Sequence, residues 1–333
     1  MTNVSIIIPA YTLDRWDLIR KAVCSAADQS VPISEVVLCV DNNDALLERA
    51  SAEWSDHPVI RVAPNRYNHL ADVGSHVRAH GSRRRFGGGS ARNSAAEEAS
   101  ADVLVFLDDD AWAEPDWIER LLAVYDGPGI VAVGGASLPE YQTARPIWFP
   151  KNFDWVFGCS YDGLPTEAAP SRRLFGGNLS VRREVFLEVG GFQSFDFDDL
   201  DMCMRLAARY GAEGLYYEPR AVIHHFVPAE RVTWRYFYRR CFFVNSEKVL
   251  AFRDMGDAAN LQAETEFVRH AVRSAVRQLI GSFRREPGAL RSLAAMFAGV
   301  ALAGAGHAWG QVKLMRTSAA DAFERALRNR ARS

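Results

Sequence analysis

Hydrophobic positions along the chain follow two rhythms, and the change falls near residue 226. Up to that point, short apolar, β-branched runs alternate with stretches whose apolar residues recur every three or four positions. Residues 4–9, 36–40, 59–63, 103–107 and 130–133 read as buried strands. Behind Asp14, a residue type that caps helices, Leu18, Ile19, Ala22 and Val23 share one helical face. Further helices are predicted around 44–54, over 90–100, and from Pro115 onward. There Trp117, Ile118, Leu121 and Leu122 line one face, with proline in the first turn. Strands alternating with helices predict βαβ units and a mainly parallel sheet. Past residue 226 the strand signals vanish. The expected organisation is an α/β domain over residues 1–228 and a helical extension over 229–333.

Three segments depart from the rhythm. Residues 65–89 lack periodicity, carry Arg66, Arg78, Arg83, Arg84 and Arg85, and close on Gly87, Gly88 and Gly89. They read as a long, basic, mobile loop, either a solvated insertion or a lid that meets phosphate or an acidic acceptor. Residues 267–283 put nine apolar residues on one helical face, with Arg269, Arg273 and Arg277 recurring beside it. Such a helix suits a membrane surface or a partner, or else packs on the main domain with its arginines in water. Residues 293–303 are also apolar, but Gly304, Gly306, His307 and Gly310 break the run, which is too short and interrupted to be expected to span a membrane.

Composition narrows the function classes. A chain of 333 residues with net charge −2 and 48% hydrophobic residues is an ordinary globular one, without the basic face that bulk nucleic-acid binding needs. Cys24, Cys39, Cys159, Cys203 and Cys241 are scattered with no CxxC pair, which argues against a disulfide framework or a zinc site and fits a reducing compartment. The first residues lack the basic and apolar regions of a signal peptide. A cytoplasmic location is expected, with peripheral docking at the inner face of the plasma membrane through 267–283 as an option.

Chemistry concentrates where apolar runs end. The run at 103–107 stops in Asp108, Asp109 and Asp110. Three ionised carboxylates are tolerated there only if they emerge at a strand's end and meet a cation. Hard oxygen ligands suit Mg²⁺ or Mn²⁺ with a substrate diphosphate; the plainer alternative is an acidic turn capping the next helix. Ligands of open α/β sheets bind at the carboxyl ends of strands. Pro9, Ala10 and Tyr11 end the first strand and Asp41 ends the second, so a ring and a carboxylate at one edge can hold a nucleobase, although Asp41 alone also reads as a turn residue. Arg92, in Gly89-Ser90-Ala91-Arg92-Asn93, either reaches a base oxygen or a phosphate or is a surface arginine at a helix start.

A second dense stretch runs through Gly176-Gly177-Asn178, Gly190-Gly191-Phe192 and Asp198-Asp199-Leu200-Asp201. The acidic cluster either caps the helix it opens or supplies a general base. Asp201 and Arg205 lie four apart and suit an ion pair. His224 and His225 follow a strand-like run, so only one of them faces a given side. A neutral imidazole there completes a metal shell, touches a diphosphate or is structural.

The ordered set resembles family-2 glycosyltransferases of the GT-A fold. It comprises Val4-Ser5-Ile6-Ile7-Ile8-Pro9-Ala10-Tyr11, Asp41, Ala91-Arg92-Asn93, Phe106-Leu107-Asp108-Asp109-Asp110, Gly176-Gly177-Asn178, Gly190-Gly191-Phe192 and Asp198-Asp199-Leu200-Asp201. The likeness covers about residues 3–250. It implies a Rossmann-like nucleotide-sugar half over about 1–112 and an acceptor half over about 113–228. It further implies donor contacts at Pro9, Ala10, Tyr11, Asp41, Arg92, Asp108 and Asp109, with Asp108 on the ribose side. Asp110 and His225, or alternatively His224, are then metal ligands, Asp199 is the catalytic base with Asp198 beside it, and Gly177 and Asn178 lie on the acceptor side. The implied reaction is inverting and metal-dependent, moving a sugar from a nucleotide-sugar to a saccharide or lipid-linked hydroxyl. A nucleotidyltransferase and a non-catalytic nucleotide-sugar or glycan-binding module are the alternatives. The first lacks a basic Gly-rich loop after strand one, and the second needs no base. An oxidoreductase is weaker still, because no G-x-G-x-x-G follows strand one. The basic insert before Gly87 departs from the family pattern.

Overall fold

The computed structural model describes residues 2–67, 87–193, 198–251 and 288–330. The arginine stripe at 267–283 and the basic segment from 68 to 86 lie outside the described residues. The strands are β1 (Val4–Ala10), β2 (Glu35–Val40), β3 (Ile60–Pro64), β4 (Val103–Leu107), β5 (Ala111–Ala113), β6 (Ala132–Tyr141), β7 (Ala169–Pro170), β8 (Asn178–Arg182) and β9 (Leu215–Val227). The helices are α1 (Trp16–Ala27), α2 (Asp44–Glu53), α3 (Gly87–Glu98), α4 (Trp117–Val124), α5 (Arg183–Glu188), α6 (Asp198–Tyr210), α7 (Trp234–Ala251) and α8 (Ala289–Arg330).

The strands form one sheet in the order β3-β2-β1-β4-β8-β6-β9-β5, with β7 on β9. Parallel pairing holds for β3, β2, β1 and β4. From there β4–β8, β8–β6 and β9–β5 are antiparallel, so the sheet is mixed rather than mainly parallel. The reason lies in the connections: β1, β2, β3 and β4 are not joined by hairpins, whereas β9 returns along β5 and β7.

Both faces of the parallel half are covered, which is why its strands read as unbroken apolar runs. Ile6 and Ile8 pack with Ile19, Val23 and Leu46 on one face. Ile7, Val37 and Phe106 pack with Ala91, Ala95, Phe186 and Phe192 on the other. The small residues of α3 let it lie close to the sheet. That helix begins at Gly87, so the glycines expected in the loop form its first turn, where glycine costs less than in a helix interior. Pro115 falls just ahead of α4 rather than inside its first turn.

The chain divides into two compact units. One comprises Met1–Glu140, Gly158–Ser160 and Leu164–Phe226 and holds almost the whole sheet. The other comprises Tyr141–Phe157, Tyr161–Gly163 and Val227–Ser333. In the second unit Trp148 stacks on Trp234 with centroids 3.7 Å apart, and Phe149, Phe153 and Phe237 pack edge to face around them. A partly buried ion pair between Arg145 and Asp154, 2.8 Å, ties the same cluster. Helix α8 runs unbroken across Gly304, Gly306 and Gly310, so the residues that interrupt the apolar run do not interrupt the helix. Two of those glycines are contact points, with Gly306 against Phe242 and Gly310 against Ser246 and Val249.

Candidate active site

Strands β1, β2 and β4 are parallel and adjacent, so their carboxyl ends open on one edge, and the first unit's chemistry collects there. Tyr11 stands half-exposed just past β1. Asp41, just past β2, is fixed by its backbone N–H donating to the Ala10 carbonyl at 2.8 Å. Its Oδ1 accepts from the Asn65 amide at 2.7 Å, and the same amide nitrogen reaches Ser90 Oγ at 3.0 Å. Asn65 is buried at the end of β3 and was not singled out from the sequence. Its only signal was its place, two residues beyond a predicted strand end on this edge.

The three aspartates after β4 have separate environments. Asp108 is partly exposed and accepts from Arg92 Nη2 at 2.5 Å. Asp110 is buried, with Oδ1 3.2 Å from His225 Nε2 and Oδ2 3.1 Å from Arg15 Nη1. Asp109 is buried as well and also meets Arg15 Nη1 at 3.1 Å, while its Oδ2 has no hydrogen-bond partner. Burial, with Asp110 adding to it, pushes the Asp109 carboxyl up to about 7 despite Arg15. Arg15, in the turn after β1, is thus the local counter-cation of the motif, and the sequence did not mark it.

Asp108, Asp110 and His225 present one ligand atom each within 4.8 Å of one another. His225 arrives from β9, whose register sets it opposite Ala111. Its Nδ1 lies 3.6 Å from the buried Cys159 Sγ, which leaves Nε2 for the carboxylates. Burial would lower the imidazole's pKa. The hydrogen bond to Asp110 more than offsets this and holds it well above the usual value. Two carboxylates and one imidazole with a strong local demand for positive charge fit Mn²⁺ or Mg²⁺. His224 does not join them. It faces the opposite side of the strand, 2.6 Å from Glu114 and stacked on Trp112, as the two-residue period of a strand requires.

Arg92 is almost wholly buried. It is 9% exposed, and its guanidinium spans Asp108 and Asp198, the latter at 2.7 Å. Burial opposes its charge, but Asp198 and then Asp108 hold its pKa above the ordinary value. It therefore clamps the end of β4 to the start of α6. Asp198 is consumed by this pair, and burial still raises its pKa to about 6. Asp199 accepts from the Leu200 N–H at 2.7 Å and the Gly176 N–H at 3.3 Å, and its carboxylate is not in an ion pair with Arg92. Asp201 pairs with Arg205 at 2.6 Å.

The Gly176-Gly177-Asn178 element is built into the sheet and against Asp108. Asn178 is fully buried. It receives the Trp117 indole N–H at 2.8 Å and donates to the carbonyls of Ala136 and Ala221, so it cross-ties strands and both of its amide N–H groups are taken. Gly177 lies against the Asp108 carboxylate, where a Cβ would have no room. Asn93, next to Arg92, brackets Phe192 through both amide atoms at 2.8 and 2.9 Å. That contact fixes the turn in which Gly190 and Gly191 take φ of +80° and +65°. At the start of the basic segment, Arg66 pairs with Glu97 and Glu98 of α3.

A nucleotide-binding-type sheet with its carboxylates gathered at one edge, continued by an antiparallel half that delivers a histidine, defines a GT-A glycosyltransferase. The profile of Glycosyl transferase family 2 matches residues 5–201, and the chain belongs to that family. It is 28% identical over 256 residues to a glucosyl-dolichyl phosphate glucuronosyltransferase of Haloferax volcanii, covering 74% of this chain and 76% of the relative. The mannosyltransferase PcManGT from Pyrobaculum calidifontis, solved with GDP-Man and Mn²⁺, shares the fold with a TM-score of 0.57 at 16% identity, over 92% of this chain and 87% of that one. GalNAc-T7, solved with UDP, GalNAc and Mn²⁺, superimposes with a TM-score of 0.51 at 17% identity, over 81% and 54% of the two chains.

Proposed function

We propose that this glycosyltransferase is inverting and divalent-metal-dependent, and that it moves a sugar from a nucleotide-sugar to a hydroxyl of a saccharide or lipid-linked acceptor. The observation that carries the reading is the convergence of Asp108, Asp110 and His225 at the end of β4. A cation held by these three side chains would supply Lewis-acid stabilisation of the departing diphosphate.

The chain's own groups divide the remaining work. Tyr11 stacks on the base and Asp41, steadied by Asn65, accepts its N–H. Pro9 and Ala10 shape the floor beneath, and Asp108 meets the ribose side. Arg15 holds Asp109 and Asp110 so that Asp110 keeps one oxygen toward His225. Arg92 locks Asp108 and Asp198 in place. Asp199 takes the proton from the acceptor hydroxyl as its oxygen forms the bond to the anomeric carbon and the bond to the diphosphate breaks. Because Arg92 consumes Asp198, a single carboxylate serves as base, no enzyme nucleophile is needed, and direct displacement inverts the anomeric centre. In this reading residues 1–112 form the donor half, 113–228 the acceptor half, and 229–333 a helical extension. A lipid-linked acceptor is favoured by the relative whose name carries dolichyl phosphate, and the reading places the protein at the inner face of the plasma membrane.

The test is a panel of UDP-, GDP- and dTDP-sugars with Mn²⁺ or Mg²⁺, read by thermal shift and by nucleoside diphosphate release. A donor that binds at saturation raises the melting temperature. Asp110→Ala should abolish the metal-dependent part of that shift while the fold persists. A variant that turns over normally in the presence of EDTA would refute the metal assignment.

A further inference from the structure

The helix α8 is built the wrong way round for water. Its buried positions, Gly299, Gly306 and Gly310 among them, lie along one side and meet Phe153, Phe237, Phe242, Ser246 and Val249. The exposed positions on the other side include Leu290, Ala294, Phe297, Ala301, Ala308 and Met315, at helical spacing. Leu290 is 66% exposed, and Phe297 and Met315 62% each. An amphipathic helix of a soluble domain shows polar residues on that side. Here no charged residue occurs between Arg291 and Lys313. Residues 289–316 are long and apolar enough to cross a membrane, yet 22% of the most apolar window is buried, so this is not the core helix of a soluble fold.

We propose that this stripe of α8 lies in the interfacial plane of an anionic lipid bilayer. Three observations favour lipid and an in-plane pose. The exposed charged residues at the two ends of the stripe are Arg291 and Arg316, and no exposed acid falls between them. Helix α7 packs alongside in parallel, since Phe237, Phe242 and Val249 meet Gly299, Gly306 and Gly310 in ascending order. It exposes Arg235, Arg239 and Arg240 together with Trp234, Tyr238 and Phe243, the residue mixture of a headgroup layer. A spanning pose would carry those arginines into hydrocarbon, whereas an in-plane pose leaves them among lipid phosphates. The stripe is about 38 Å long at 1.5 Å per residue, an extended contact rather than a compact pocket. The inference deepens the proposed function, and rests on it only for its purpose, which is to bring the protein to a lipid-linked acceptor.

The test uses the full chain and flotation with phosphatidylcholine vesicles, with and without phosphatidylglycerol. The protein should float with the anionic vesicles and much less with neutral ones, and high salt should weaken the binding without abolishing it. Phe297→Asp should lower the partition at least about tenfold, through loss of one buried aromatic side chain and the cost of an unsolvated charge. Phe297→Leu should retain most of it, and both variants should keep the wild-type circular dichroism and melting temperature. No flotation with anionic vesicles overturns the proposal. So does a Phe297-dependent dimer in sedimentation that leaves vesicle binding indifferent to the substitution. Nucleoside diphosphate binding with Mn²⁺, measured without vesicles, separates the two readings, because its loss would count against the active site and its retention in a non-floating protein against the membrane contact alone.

Discussion

Gly177 provides the sharpest test of how the site is assembled. A methyl group added there would place a Cβ 2.7 Å from Asp108 Cγ, and closer still to one carboxylate oxygen. Asp108 Cγ would have to retreat by about 0.7 Å to reach the 3.4 Å of ordinary contact. Gly177 is held between Phe175 and the start of β8, so the carboxylate is the part that yields. The Asp108 side chain is 30% exposed and has room to swing outward, so the cost in stability should be about 1 kcal/mol or less. Its consequences for chemistry are larger. The swing stretches the Arg92 bond and removes one of the three ligand atoms that lie within 4.8 Å of one another. A displacement on the order of 1 Å in a reacting constellation costs about 10²-fold in rate. Gly177→Ala should therefore keep its melting temperature within a few degrees while Mn²⁺ affinity and turnover fall together by about that factor. Metal titration with nucleoside diphosphate release as readout measures both. Wild-type turnover with an unchanged metal dependence would show that Asp108 is not held by this contact or does not serve the cation.

Three further expectations follow from the same geometry. Asp199→Asn should bind donor normally and lose about 10²–10⁴ in rate, the range for a general base; unimpaired turnover would move the base elsewhere in the acidic cluster. Asn65→Ala removes the amide that orients Asp41, so KM for the donor should rise several-fold with kcat little changed, and an unaltered KM across nucleotides would exclude this role. Asp109 holds a proton up to about pH 7 in the cation-free protein, whereas its unfolded counterpart has already released it. Its contribution to stability is therefore lost as pH rises toward 7, and a nearby cation, which favours the carboxylate, must displace that proton. Mn²⁺ affinity should climb with pH, by at most about tenfold per pH unit for each proton released, and the part of the slope owed to Asp109 should level off above about 7. His225 adds a slope of the same sign, so calorimetry on Asp109→Asn should show a shallower pH dependence, and an identical slope would refute the coupling.

Periodicity and strand ends carried much of this protein in plain view. Two-sided burial made 4–9, 36–40 and 103–107 read as continuous apolar runs, and the polar residues that stop them are the ones that reach the edge of the sheet. That is a local consequence of connectivity, since parallel neighbours put their carboxyl ends side by side, and Tyr11, Asp41 and Asp108 needed no contact information to be placed there. The pairing of Asp201 with Arg205 was equally local, one helical turn apart. What depends on residues far apart in the chain was not legible. Which histidine faces the carboxylates was decided by the register of β9 against β5. That Arg92 spans two aspartates depended on α6 arriving beside β4, 106 residues away from it in the Asp198 contact. Asn178 looked like a ligand-facing residue of a conspicuous motif, but its three hydrogen bonds go to strands and a helix assembled from separate parts of the chain. Arg15 and Asn65 carry no motif and gain their importance from neighbours that only folding supplies. The same holds for α8: its glycines look like breaks when counted along the chain, and in three dimensions two of them are where α7 presses closest, because a helix tolerates glycine when a partner backbone occupies the space of the missing side chain.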